Sequence, residues 1–100
     1  MIVLWTDEAL ENLWKIEAFI GRDNPQKAES FVNHLIEQGE STALNPHIGR
    51  IVPEISNPEI GELIIKKYRI VYRIHEQEIE ILTVFEGHKL LRLAELENGS

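Results

Sequence analysis

The chain has 100 residues, 43% of them apolar, and a formal net charge of −7 from 10 basic and 17 acidic side chains. That length holds one modest core, so residues 1–100 are read as a single domain, with 97–100 frayed. The lack of cysteine excludes disulfides and thiolate zinc sites and fits a reducing cytoplasm, while the acidic balance argues against a free-standing nucleic-acid binder. No apolar stretch approaches membrane-spanning length. Residues 1–8 lack the basic start and long apolar run of a signal peptide.

Residues 2–5, Ile-Val-Leu-Trp, suit a short strand that is expected to join the sheet of the later strands, being too short to stand alone. Thr6 follows as a helix N-cap, with Asp7 and Glu8 in the first turn where acids favour the helix dipole. Ala9, Leu13, Ile16 and Ile20 recur at helical spacing, which predicts an amphipathic helix over 7–20 that Gly21 ends. Asn24-Pro25 opens a second helix, with a stripe of Ala28, Phe31, Val32, Leu35, Ile36 and Gly39. Small residues at Gly39 and Ala43 predict a close approach to another element, and Asn45-Pro46 stops the helix. Residues 46–60 hold three prolines and a glycine and read as irregular. Ile48, Ile51, Val52 and Ile55 nevertheless require this segment to pack on the core.

Residues 62–85 read as three strands with tight connections at Lys66-Lys67 and Glu76-Gln77. In the middle strand Tyr68, Ile70, Tyr72 and Ile74 face one way, and Arg69, Val71, Arg73 and His75 the other. Closing the hairpin at Glu76-Gln77 pairs Ile74 with Ile79, Tyr72 with Ile81, Ile70 with Thr83 and Tyr68 with Phe85. The opposite face then pairs Arg73 with Glu80, Val71 with Leu82 and Arg69 with Val84. Closing the hairpin at Lys66-Lys67 sets Ile65 beside Tyr68 and Leu63 beside Ile70. Residues 90–96 read as a last strand followed by a helical turn. The fold class is α+β: an N-terminal strand and a two-helix hairpin packed on a C-terminal antiparallel β-meander. The helices cover the tyrosine-and-isoleucine face and leave the arginine face for another macromolecule.

Charge is unevenly placed, at −5 over residues 1–46 and +3 over residues 61–74. The plain reading is a solvated acidic helical surface with strand-edge lysines. The sharper reading is a sheet surface that docks an acidic partner. His34, His47, His75 and His88 show no i, i+4 pair or carboxylate spacing for a metal, and no glycine loop cradles phosphate, so no cofactor or metal is expected. His34 falls on the exposed flank of the second helix, His75 faces Glu78, and Trp5 and Trp14 read as packing residues.

The helical hairpin, Asn24-Pro25, Asn45-Pro46, Gly49-Arg50-Ile51-Val52-Pro53-Glu54, Glu62-Leu63, Tyr68-Arg69-Ile70-Val71-Tyr72-Arg73-Ile74 and Ile81-Leu82-Thr83-Val84 come in a particular order. That order resembles the ParE/RelE superfamily of bacterial toxins over residues 5–91. The ParE branch looks closer, through the long helical hairpin and the 49–54 segment. The resemblance implies a RelE/ParE-like fold and the toxin of a type II toxin–antitoxin pair, silenced by a co-expressed antitoxin whose extended segment wraps it. ParE-like members act on DNA gyrase, whereas RelE-like members cut mRNA in the ribosome.

The leading expectation is a cytoplasmic plasmid-stabilisation type of toxin that binds gyrase rather than catalysing a reaction, with self-association left open. Arg50, Arg69, Arg73, Lys89 and Arg92 are its partner-binding candidates. The runner-up is a ribosome-dependent mRNA endonuclease, which needs an acid, a base and cations on the phosphate. Arg69, His88 and Lys89 are its candidates, although Arg69 and Arg73 read more simply as strand residues paired with acids. A third reading, a non-toxic antitoxin-binding homologue, follows from two departures. Gly61 stands where the family usually has arginine, and Glu86-Gly87-His88-Lys89 stands where it tends to have His-Gly-Arg-Arg. Gly61 itself reads as a bulge or turn before the strand, and Gly61→Arg is expected to recover toxicity if that position matters.

Overall fold

A computed structural model describes residues 1–87. Strand β1 (Ile2–Trp5) leads into helices α1 (Asp7–Gly21) and α2 (Pro25–Glu40), followed by strands β2 (Arg50–Ile51), β3 (Ile60–Ile65), β4 (Tyr68–Ile74) and β5 (Glu78–Glu86). The five strands form one sheet in the order β1-β5-β4-β3-β2. β1 lies parallel to β5, with Val3 opposite Ile79 and Trp5 opposite Ile81, and the remaining pairs are antiparallel. Two helices on one face of a five-stranded mixed sheet make the expected α+β architecture. Among the described residues no helix is long and apolar enough to cross a membrane.

Local chemistry starts both helices where the sequence places them. The Thr6 hydroxyl accepts from the Ala9 N–H at 3.1 Å, and it also lies 2.9 Å from the carbonyls of both Ile81 and Leu82. One side chain thus caps α1 and fastens its first turn to β5. The Asn24 carboxamide oxygen accepts from the Lys27 N–H at 3.0 Å, and Pro25 opens α2 without wasting a donor. Ala9, Leu13 and Ile16 of α1 and Val32 and Leu35 of α2 are buried against Leu63, Tyr68, Ile70, Tyr72, Ile79, Ile81 and Val84. Each fully buried aliphatic side chain contributes roughly 1.5–3 kcal/mol to this core.

Gly39 shows why the stripe of α2 ends in a small residue. A Cβ there would sit 2.6 Å from the Trp5 indole, whose N–H donates to Glu40 Oε2 at 2.7 Å. Trp5 therefore packs as expected. Trp14 does not, being 64% exposed on α1.

The first hairpin has the expected register, Ile65 opposite Tyr68 and Leu63 opposite Ile70. The second keeps it only from Ile74–Ile79 to Tyr72–Ile81, with Arg73 opposite Glu80. Beyond Tyr72 it slips by one, so Val71 faces Thr83, Ile70 faces Val84, Arg69 faces Phe85 and Tyr68 faces Glu86. The predicted pairs Ile70–Thr83, Tyr68–Phe85, Val71–Leu82 and Arg69–Val84 are corrected by this bulge. Its extra residue lets Leu82 join a cluster on the far side of the sheet while Val84 enters the main core.

That far side overturns a second expectation. Residues 52–59 fold across it, and Val52 and Ile55 close over Ile60, Val71, Leu82 and Phe85 as a second small core. The segment read as irregular also contributes β2, and β3 begins at Ile60. The arginine side of the sheet is covered, not open.

Candidate partner-binding site

The covering segment is held first by Tyr72, which is fully buried in β4. Its hydroxyl donates to the Pro46 carbonyl at 2.7 Å and accepts from the Gly49 N–H at 3.1 Å. Two glycines make room for that ring. A Cβ on Gly61 would lie 2.9 Å from the Tyr72 ring, and one on Gly49 would lie 2.4 Å from the Glu62 carbonyl oxygen. Gly61 is therefore inside β3, opposite Tyr72, and is not the bulge or turn expected before the strand. Close approach of the Tyr72 ring, not backbone conformation, demands a glycine there.

Clearing this passage sets Arg50 opposite Glu62, the next link. The Glu62 side chain has no solvent exposure, and each of its oxygens meets one arginine, Oε2 with Arg50 Nε at 2.6 Å and Oε1 with Arg69 Nε at 2.5 Å. Arg69 turns its other nitrogens onto Glu54, Nη1 to Oε2 at 2.7 Å and Nη2 to Oε1 at 2.8 Å. This fork-to-fork geometry is the strongest pairing a guanidinium makes with a carboxylate. The Phe85 ring lies against the same guanidinium, 5.3 Å from its carbon. The charges cancel, two arginines against two glutamates. Glu54 ties the loop over the sheet to the strand beneath it.

The titration of these groups follows from that contact. The hydrogen bonds from Arg69 hold the Glu54 carboxyl down at about 2, against some opposition from burial. Glu54 in turn holds the Arg69 guanidinium further above its ordinary range, with help from Glu62. Burial pushes the hydroxyls of Tyr68 and Tyr72 up.

Of the residues singled out from sequence, Arg50 and Arg69 come together through Glu62, while Arg73 lies at the opposite end of β4. Arg69 is 6% exposed and saturated with acids, the simpler of the two readings given for it. His88, Lys89 and Arg92 lie outside the described residues. His34 is exposed on α2 as expected. His75 faces Glu78 as expected, its N–H donating to the Glu78 carbonyl at 2.9 Å, while its ring nitrogen sits 2.9 Å from Glu80 Oε1. The sequence reading missed Glu54 and Glu62. Glu62 had a signal, since the Lys66-Lys67 hairpin sets it diagonally across from Arg69 on one face. Glu54 had none, because it arrives by a fold of the loop.

Residues 3–91 match the family model described as the ParE toxin of the type II toxin–antitoxin system parDE. The chain belongs to the ParE toxin family. As a family member it is a ParE-type toxin of a type II toxin–antitoxin system. A solved structure of the chromosomal ParDE toxin–antitoxin system from P. aeruginosa is similar, with a TM-score of 0.71 and 24% identity over 86% of this chain and 95% of that one. That likeness shares the ParE fold of two helices on a sheet. No curated protein matches the sequence. Within this ParE chain, the Gly49-Arg50-Ile51-Val52-Pro53-Glu54 segment serves the fold itself. Its glycine makes room for Tyr72, its arginine meets Glu62, its valine fills the second core and its glutamate holds Arg69.

Proposed function

We propose that this toxin acts by binding DNA gyrase rather than by cutting RNA, and that a cognate antitoxin neutralises it. The carrying observation is the state of Arg69. An RNA-cleaving site needs a cation free to meet a phosphate, and this guanidinium is enclosed by Glu54, Glu62 and Phe85. Opening it would take from the buried Glu62 its only buried cation and break the fork to Glu54, at a cost of several kcal/mol. The overall charge of −7 also opposes entry into a phosphate-lined ribosomal site. A surface that docks on a protein needs neither a free general base nor a phosphate clamp. The four apolar residues of β1 offer the antitoxin an outer sheet edge for strand addition.

The experiment is a supercoiling assay with purified gyrase and relaxed plasmid. Loss of supercoiling as toxin is added supports the proposal. Full supercoiling at large molar excess, together with cleaved message on translating ribosomes, moves the chain to the endonuclease reading. If neither appears and induction leaves growth unchanged, the non-toxic homologue takes its place.

A further inference from the structure

The outer stripe of α1 carries a tryptophan that no core explains. Asp7, Glu11, Trp14 and Ala18 recur at helical spacing, away from the buried Ala9, Leu13 and Ile16, and all four are exposed. Trp14 keeps 64% of its surface in solvent. It does not stand alone. Leu10, one turn before it, is only partly buried, as is Ile36 of α2. A Cβ on Gly21 would lie 3.6 Å from that of Ala28, which fixes the register of the two antiparallel helices and brings Ile36 level with Trp14. Acids frame this apolar strip: Asp7, Glu11 and Glu17 on α1, and Glu29 and Glu37 on α2. Among the described residues, none of these five is in an ion pair. The bases of the hairpin stand elsewhere. Lys15 and Lys27 border hollows on the strand side, beside Tyr68, and Arg22 lies in the turn between the helices. An aromatic anchor with apolar neighbours and a charged rim has the composition of an interface centre.

We propose that the outer face of the α1–α2 hairpin docks a basic amphipathic helix of a protein partner. Trp14 inserts among the partner's apolar side chains, and its arginines or lysines meet Glu11, Glu17 and Glu29. Two helices side by side offer a third the shallow groove between them. Charge selects this occupant. A face framed by acids repels a nucleic acid and an anionic membrane. A second copy would press two acidic faces together. A basic protein helix instead gains from each acid in the frame while it removes the indole from water. Eight acids against three bases over residues 1–46 also steer such a partner toward the hairpin from a distance. The proposal rests on the gyrase half of the function above, since an enzyme that grips DNA phosphates carries cationic surface, and it names the face that meets it.

The test is fluorescence anisotropy with the full chain and a labelled amphipathic peptide of roughly 15 residues, long enough to form a helix. Its leucines follow helical spacing and its remaining positions are arginine; a matched peptide carries glutamate instead, and a labelled DNA duplex is the third probe. The basic peptide is expected to bind at least about tenfold tighter than the acidic one and to weaken with salt. Trp14→Ser, and the pair Glu11→Lys with Glu17→Lys, should each weaken it about tenfold at an unchanged melting temperature. Phe19→Ser, which removes an exposed ring from the strand-side flank of the same helix, should leave it unchanged. Equal binding of the two peptides, preference for DNA, indifference to Trp14→Ser, or no binding overturns the proposal. So does a dimer that Trp14→Ser dissociates, which places a second copy on the face. Supercoiling by purified gyrase is read separately, and Trp14→Ser should raise the toxin concentration needed for half-inhibition about tenfold. Peptide binding that depends on Trp14, with gyrase untouched by the wild type, removes gyrase and keeps the docking face. Gyrase inhibition that Trp14→Ser leaves intact removes the docking face and keeps gyrase.

Discussion

Arg69 and Glu62 show how a charged side chain becomes part of a core. Each is almost wholly buried and each is matched by charge, so removing one partner strands the other in a medium where water cannot replace it. Arg69→Ala is expected to cost about 3–5 kcal/mol in urea unfolding. Arg50→Ala, whose side chain is 57% exposed, should cost at most about 1 kcal/mol. A similar small loss for both would show that the cluster is not internal. Glu54 adds a pH dependence of definite sign. Its carboxyl titrates near 4.5 when unfolded and near 2 when folded, so its contribution is complete above pH 4.5 and fades as pH falls toward 2. Urea midpoints should fall through that window in the wild type, and Glu54→Gln should flatten the fall. Gly61→Ala presses a methyl against the Tyr72 ring and is expected to cost about 1–3 kcal/mol. An arginine at this position would likewise have to move that ring, so Gly61→Arg carries a folding cost that any toxicity assay of that variant must separate from function.

The elements were legible in the sequence wherever local rules act. Thr6 and Asn24 are caps by their own chemistry, the stripes of α1 and α2 follow helical spacing, and the first hairpin register follows from a two-residue turn. Thr6→Ala should cost about 1–2 kcal/mol by circular-dichroism melting, since it loses both a cap and the tie to β5. A loss within error would mean the hydroxyl does not hold α1 to the sheet. The bulge at Leu82 was not legible, because alternation scores Leu82, Thr83 and Val84 almost alike and only two competing cores decide where the extra residue falls. The path of residues 52–59 was hidden for a related reason. Prolines forbid regular structure but do not say which face the loop will cover. With that loop went the candidate site: Arg69 was found on the correct face of β4, yet its enclosure by Glu54 depends on contacts fifteen residues apart.

At the scale of the whole molecule, the described residues hold positive charge of two different kinds. Arg50 and Arg69 are consumed in fastening a loop to the sheet, whereas Lys27, Lys66 and Lys67 stand exposed around an aromatic groove. The arginine cluster thus serves as scaffold, and the exposed lysines are the cations left for solvent or a partner. Side-chain labelling of the native protein, read residue by residue by mass spectrometry, tests that division directly. Lys27, Lys66 and Lys67 should acylate rapidly, while Arg69 resists an arginine-specific dicarbonyl that modifies the exposed Arg22. Modification of Arg69 as fast as Arg22 in folded protein would contradict the account.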